Sequence, residues 1–201
     1  MEAEPGFAVV RVEHSYTVLD SRWMAIRTSH RFELTALRAE RFFLRSYTWD
    51  NEVGIEKAPM IKTGRNPSGT SSHRLQGPVI VGRGGARLAV VDLGRVFQPG
   101  ETEVLELDHF FVRTNPDNYG FVGHVAKEDC KEIVLKAVLP ARPNLRPRFL
   151  CGHTGSDDWA EDDPIEPITD LESRLEFSHR VINPAQGLRY RIQWHQELEN
   201  I

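Results

Sequence analysis

The sequence predicts an all-β fold: a β-sandwich of two mainly antiparallel sheets, Ig-like or jelly-roll-like, with room for one short helix. Three observations carry this. Long runs alternate apolar and polar residues with a period of two. Turn chemistry separates those runs at intervals of roughly 8–15 residues. Helical patterns do not alternate with the strands, which argues against βαβ units and for a sandwich or open barrel.

The run Arg22–Trp49 has neither proline nor glycine and is too long for one strand. Met24, Ile26, Phe32 and Leu34 take even positions, with Thr28 and His30 between them in the same series. Phe43, Tyr47 and Trp49 then take odd positions around Arg45, so a second strand follows a turn near Leu37–Glu40. The helical alternative is confined to 35–45, and the flanking β-branched and aromatic residues favour strands. Pro78–Val81 and Arg87–Leu93 flank Gly82-Arg83-Gly84-Gly85, a hairpin with a glycine turn. Pro99-Gly100 is a turn before the strand Thr102–Val112, and Lys131–Leu139 is a strand that stops at Pro140. Three prolines keep 140–148 extended, as at a sheet edge. Leu171–Ile182 is a further strand. After Asn183–Gly187 the chain closes on Leu188–Trp194, where Leu188, Tyr190, Ile192 and Trp194 alternate with Arg189, Arg191 and Gln193. Some nine to twelve strands result, in one domain over 1–201 with its core in 7–196 and long surface loops at 63–72 and 152–167.

Twenty-five basic against 29 acidic residues give a net charge of −4. That sum hides two opposed segments. Residues 57–91 carry Lys57, Lys62, Arg65, Arg74, Arg83 and Arg87 and no acid, whereas 157–172 carry eight acids and no base. No window is long and apolar enough for a membrane helix, so no membrane partner is expected. The first ten residues lack the charge and apolar core of a secretory signal, which places the chain in the cytoplasm with Cys130 and Cys151 as buried, reduced thiols.

The basic segment is also rich in glycine. Converging backbone N–H groups and arginine forks suit an anion, so Arg65, Arg74, Arg83 and Arg87 with Gly84 and Gly85 are candidate ligands for a nucleotide or phosphorylated small molecule. Neither phosphate signature is met: GxxxxGK[ST] is absent, and Gly82–Gly85 precedes a strand instead of a helix. The acidic loop, with Asp157, Asp158, Trp159, Asp162 and Asp163, is a candidate surface for a protein partner, Trp159 serving as apolar anchor. It lacks the oxygen spacing of an EF-hand. Cys130, Cys151 and His153 are three thiol and imidazole groups without the CxxC spacing of a zinc site. No two of the eight histidines stand at i,i+4, and neither HExxH nor GxSxG occurs. No catalytic residue, metal or cofactor is therefore assigned. Aromatic and arginine residues in 22–49 would suit a single-stranded nucleic acid, but a pI near 6.1 opposes it; aromatics inward and arginines outward is the plainer reading.

Arg45–Trp49, residues 88–107 and Gly187–Trp194 resemble segments of uncharacterised all-β accessory domains of bacterial, often actinobacterial, signalling or defence proteins. The resemblance covers roughly 22–195 and rests on turns and core strands. It implies a cytosolic accessory or sensing module and transfers no catalytic group. The function expected is a non-catalytic binding or interaction module. The alternatives are a sensor that binds an anion through 57–91 and a hydrolytic enzyme of unknown class.

Overall fold

The computed structural model describes residues 5–20, 22–48, 53–56, 59–62, 72–82, 86–113, 119–127, 129–141, 145–154, 159–171 and 174–196. The regular elements among them are all strands: β1 Phe7–Val18, β2 Ala25–Ala36, β3 Glu40–Thr48, β4 Val53–Glu56, β5 Met60–Ile61, β6 Arg74–Leu75, β7 Ile80–Val81, β8 Ala86–Phe97, β9 Thr102–Arg113, β10 Tyr119–Val125, β11 Glu132–Pro140, β12 Leu145–His153, β13 Glu161–Pro164, β14 Thr169–Leu171, β15 Arg174–Ile182 and β16 Leu188–Gln196.

The largest sheet has eight strands in the order β14-β15-β11-β1-β2-β9-β4, with β5 also on β9. Its pairs are antiparallel except β1 with β11, which is parallel. Period two decides which side of it is dry. Val12, Ile26, Phe32, Leu34, Leu105, Leu107, Ile133 and Leu135 share one face and are buried. Two four-stranded sheets cover that face: β10-β16-β12-β13, and β3-β8-β6 with β7 on β8. Phe43 of β3 packs edge-on to Phe7 and against Phe32, while Trp194 of β16 packs on Tyr16 with ring centroids 5.0 Å apart. The sandwich is thus one broad sheet against a second layer split in two.

The helical alternative at 35–45 gives way to a turn between β2 and β3. Its backbone groups are taken by a neighbouring turn: Ala36 N–H donates to the Glu101 carbonyl, and Gly100 N–H donates to that of Ala36. Gly100 has a φ of +86°, the conformation expected of Pro99-Gly100. The expected strand Leu171–Ile182 is two strands, β14 and β15, joined as an antiparallel pair. Segment 140–148 feeds β12, which lies between β16 and β13; β13 pairs with Arg148–Cys151, and the Ile165 N–H just beyond it donates to the Pro147 carbonyl, so β12 is an inner strand there and not the expected edge. The expected loop 152–167 contains β13. Strands β1 and β10 complete the alternation at positions the sequence reading left unassigned. Cys130 and Cys151 are both buried, and no disulfide joins them. No helix among the described residues is long and apolar enough to cross a membrane.

Candidate functional site

Both sides of β3 and β8 are apolar, a pattern usual for strands covered on both faces. Phe43 points inward, as do Ala89, Val91 and Leu93, and all four are buried. Phe42 and Leu44 point outward and stay 40% and 62% exposed. Leu44 stands opposite Val90, and Ile80 of β7, 56% exposed, stands opposite Leu88. The register therefore joins Phe42, Leu44, Val90, Leu88 and Ile80 into one apolar strip on the outer surface of a four-stranded sheet. Exposed apolar patches of this kind mark interaction sites.

A charged node bounds the strip. Asp92 accepts hydrogen bonds from Arg41 Nε at 2.8 Å and Nη2 at 3.0 Å, from Arg74 Nε at 3.1 Å, and from the Gly94 N–H at 2.9 Å. The Arg41 hydrogen bond outweighs the opposing push of burial and, with Gly94 and Arg74, holds the Asp92 carboxyl well below the usual range. Gly94 is required there: its φ is +84°, and an added Cβ would lie 2.7 Å from the Ser72 carbonyl oxygen. The Arg41 guanidinium also lies over the Phe42 ring, 5.7 Å from its centroid.

Of the residues singled out for an anion, Arg74 belongs to this node. Arg87 is half-buried on β8, five residues from Asp92 and so about 17 Å along the strand. The two do not converge. Arg65, Arg83, Gly84 and Gly85 lie outside the described residues, as do Trp49, Asp157 and Asp158. Trp159 packs back onto its own sheet, with the guanidinium groups of Arg189 and Arg191 each 4.0 Å from its ring centroid. Asp162 takes an ion pair from Arg148, and Asp163 is exposed. The acidic loop thus meets basic side chains of β16 and β12.

The outer face of the eight-stranded sheet is a lattice of ion pairs. Arg11 bonds Glu33, Arg31 bonds Glu106, Lys136 bonds Glu13 and Arg180 bonds Glu132. At its centre Asp108, 1% exposed, receives Arg27 Nη2 at 2.6 Å, Ser29 Oγ at 2.7 Å and Lys62 Nζ at 2.7 Å. Burial pushes its carboxyl up, but the bonds from Lys62, Ser29 and Arg27 prevail and hold it below the usual range. A recess of about 330 Å³ opens over this node.

The dry face of the same sheet holds the polar groups that sequence reasoning missed. His14, His30 and His109 sit on β1, β2 and β9, facing His124 of β10 and Arg45 of β3. Burial is the main cause of their low basicity, with Arg45 adding to it; His109 is brought down to about 4 and His124 to about 3. Arg45 contradicts the expectation that arginines of 22–49 point outward. Its parity is that of Phe43 and Tyr47, and its guanidinium lies over Phe32. The available signal was polar residues on apolar parity, seen at Thr28 and His30.

No protein-family model and no curated protein matches the chain. Solved structures resemble its fold. A protein provisionally described as a protease from Parabacteroides distasonis superposes with a TM-score of 0.53 at 12% identity, covering 94% of this chain and 40% of that one. An M1 zinc metallopeptidase variant from Deinococcus radiodurans gives a TM-score of 0.52 at 11% identity, covering 93% and 42%. A two-domain M1 zinc metallopeptidase variant bound to L-tryptophan gives 0.51 at 11% identity, covering 94% and 43%. The chain therefore spans about four-tenths of the length of these structures.

Proposed function

We propose that the chain is a non-catalytic binding module whose docking face is the strip Phe42, Leu44, Val90, Leu88 and Ile80, rimmed by Arg41, Arg74 and Asp92. The exposed apolar strip carries this reading, because a sheet face turned to water is ordinarily polar. Leu44 and Phe42 supply apolar contact, and the Asp92 node supplies fixed charges that orient a protein partner. The fold likeness supports a modular role, since in each of those structures the matched part is less than half of a longer chain. The resemblance of 45–49, 88–107 and 187–194 supports a cytosolic bacterial signalling or defence setting.

Cross-linking mass spectrometry on the tagged chain in its host cells tests this. Cross-links to a protein partner should concentrate on 41–46 and 74–92. They should vanish in Leu44→Asp and in Ile80→Asp, both of which should leave the melting temperature unchanged. Cross-links that persist in both variants would overturn the docking face. Zinc-dependent cleavage of peptides by the isolated chain would overturn the non-catalytic reading. Thermal stabilisation by nucleotides that is lost in Arg74→Ala with Arg87→Ala would move the site to the arginine–glycine segment.

A further inference from the structure

Three imidazoles in the core form a continuous hydrogen-bonded chain between two sheets. Nδ1 of His30 lies 2.7 Å from Nδ1 of His14, and Nε2 of His14 lies 3.0 Å from Nδ1 of His124. Nε2 of His30 lies 3.1 Å from the Thr28 hydroxyl. His14 thus turns its two ring nitrogens to different neighbours. The three rings form a line and do not converge on a point, and no group of three side chains placed to hold a metal ion occurs among the described residues. When every ring is neutral, each link holds one proton, and the chain is satisfied in either direction. His14 can accept one more proton and donate to both neighbours. Any further proton sets N–H against N–H and breaks a link.

The surroundings work against even the first proton. From β3 come the Arg45 guanidinium, which donates to the Ser46 carbonyl, and Tyr47, whose ring meets His109 edge-on at 4.7 Å. From β9 comes His109, 5.4 Å from His30. Beyond β10 lies Lys127, which disfavours a charge on His124. Tyr190 of β16 stands opposite His124, and Leu135 of β11 stands opposite His14. On β1 itself the next inward residue is Tyr16. Arg45 therefore places a positive charge beside rings that burial already disfavours charging.

In this arrangement β10 is an edge strand, hydrogen-bonded along one side to β16, with His124 reaching back to His14 of β1. We propose that the His30–His14–His124 chain is an acid-operated latch, in which proton uptake separates His124 from His14, frees β10 from the large sheet and lets it fray from β16. The two states differ by protons bound, so the opening equilibrium steepens by about tenfold per pH unit for each proton taken up.

Hydrogen exchange read by mass spectrometry at about pH 7.5 and about pH 5.5, corrected for intrinsic rates, tests the latch. Protection of amides 119–125 should fall by about tenfold or more at the lower pH and should stay below that of β2 and β9, which exchange only through global opening. His124→Gln retains a hydrogen-bonding side chain that cannot charge, so its β10 protection should be equal at both pH values. Unchanged β10 protection in the parent, or an equal loss in His124→Gln, would overturn the proposal. Should that variant fail to fold, nitrogen NMR of the parent's imidazoles decides. His14 and His124 should remain neutral at neutral pH and change state together with β10 exchange. Independent titration of each ring in the ordinary histidine range, with β10 undisturbed, would overturn the latch.

Discussion

Asp108 and His109 are neighbours in sequence and face opposite sides of one sheet, and each meets its own solution to burial. On the outer side Asp108 remains ionised, because Arg27, Ser29 and Lys62 replace the water it has lost. On the inner side His109 remains neutral, because burial and Arg45 penalise its charged form. Glu13 with His14 and Ser29 with His30 repeat the division. A step of one residue along a pleated strand exchanges an environment that pairs charges for one that suppresses them.

The comparison breaks first under acid. His14, His30, His109 and His124 all have folded-state basicity below the ordinary value. The unfolded chain therefore binds more protons than the native one, and stability present above about pH 6.5 is lost as pH falls below it. The expected slope approaches about 1.4 kcal/mol per pH unit for each histidine, so the unfolding free energy from denaturant titrations at successive pH values should drop by several kcal/mol between about pH 6.5 and about pH 5. Asp108 is shifted in the same direction, but in a lower pH range. Its contribution persists until pH falls below about 3.9, the unfolded carboxyl value. A flat profile between those limits would remove the distinction between the two faces.

Packing gives the next effect. Gly120 of β10 lets the Trp194 indole approach so closely that an added Cβ would lie 2.5 Å from it. Gly120→Ala should cost about 3 kcal/mol in chemical denaturation, through overpacking beside a fully buried ring. On the outer face, Asp108→Asn should cost about 2 kcal/mol, since Arg27 and Lys62 lose their shared counter-charge but reach water. The smallest effect belongs to the exposed pair Arg31–Glu106: Arg31→Ala should change stability by less than about 0.5 kcal/mol. If Arg31→Ala proved as costly as Asp108→Asn, the outer lattice would be acting as one cooperative unit.

Much of the fold was legible from local pattern. The alternation in Leu188–Trp194 placed Tyr190, Ile192 and Trp194 in the core, and the even series through Ile26 and Phe32 placed the inner face of β2. Arg45 and Arg41 show where that reading stops. Arg45 was assigned to water by residue type, yet parity carried it inward with Phe43 and Tyr47. Arg41 joins Asp92, which lies 51 residues away in sequence. The outer apolar strip was hidden for a related reason: Phe42 and Leu44 read as ordinary strand formers, and only the register with Val90 makes a surface of them.

The sequence by itself determined where strands run, which of their residues share a face, and where the turns at Pro99-Gly100 and Asn183–Gly187 reverse the chain, because each follows from backbone geometry within a few residues. The tertiary structure alone decided that the +6 and −8 segments are tied to different partners, Lys62 to Asp108 and Arg74 to Asp92 on one side, and Asp162 to Arg148 on the other. It also decided that His14 meets His124 across 110 residues. Strand order and register between distant segments set those meetings. They depend on how whole faces bury against one another, a quantity no local window contains.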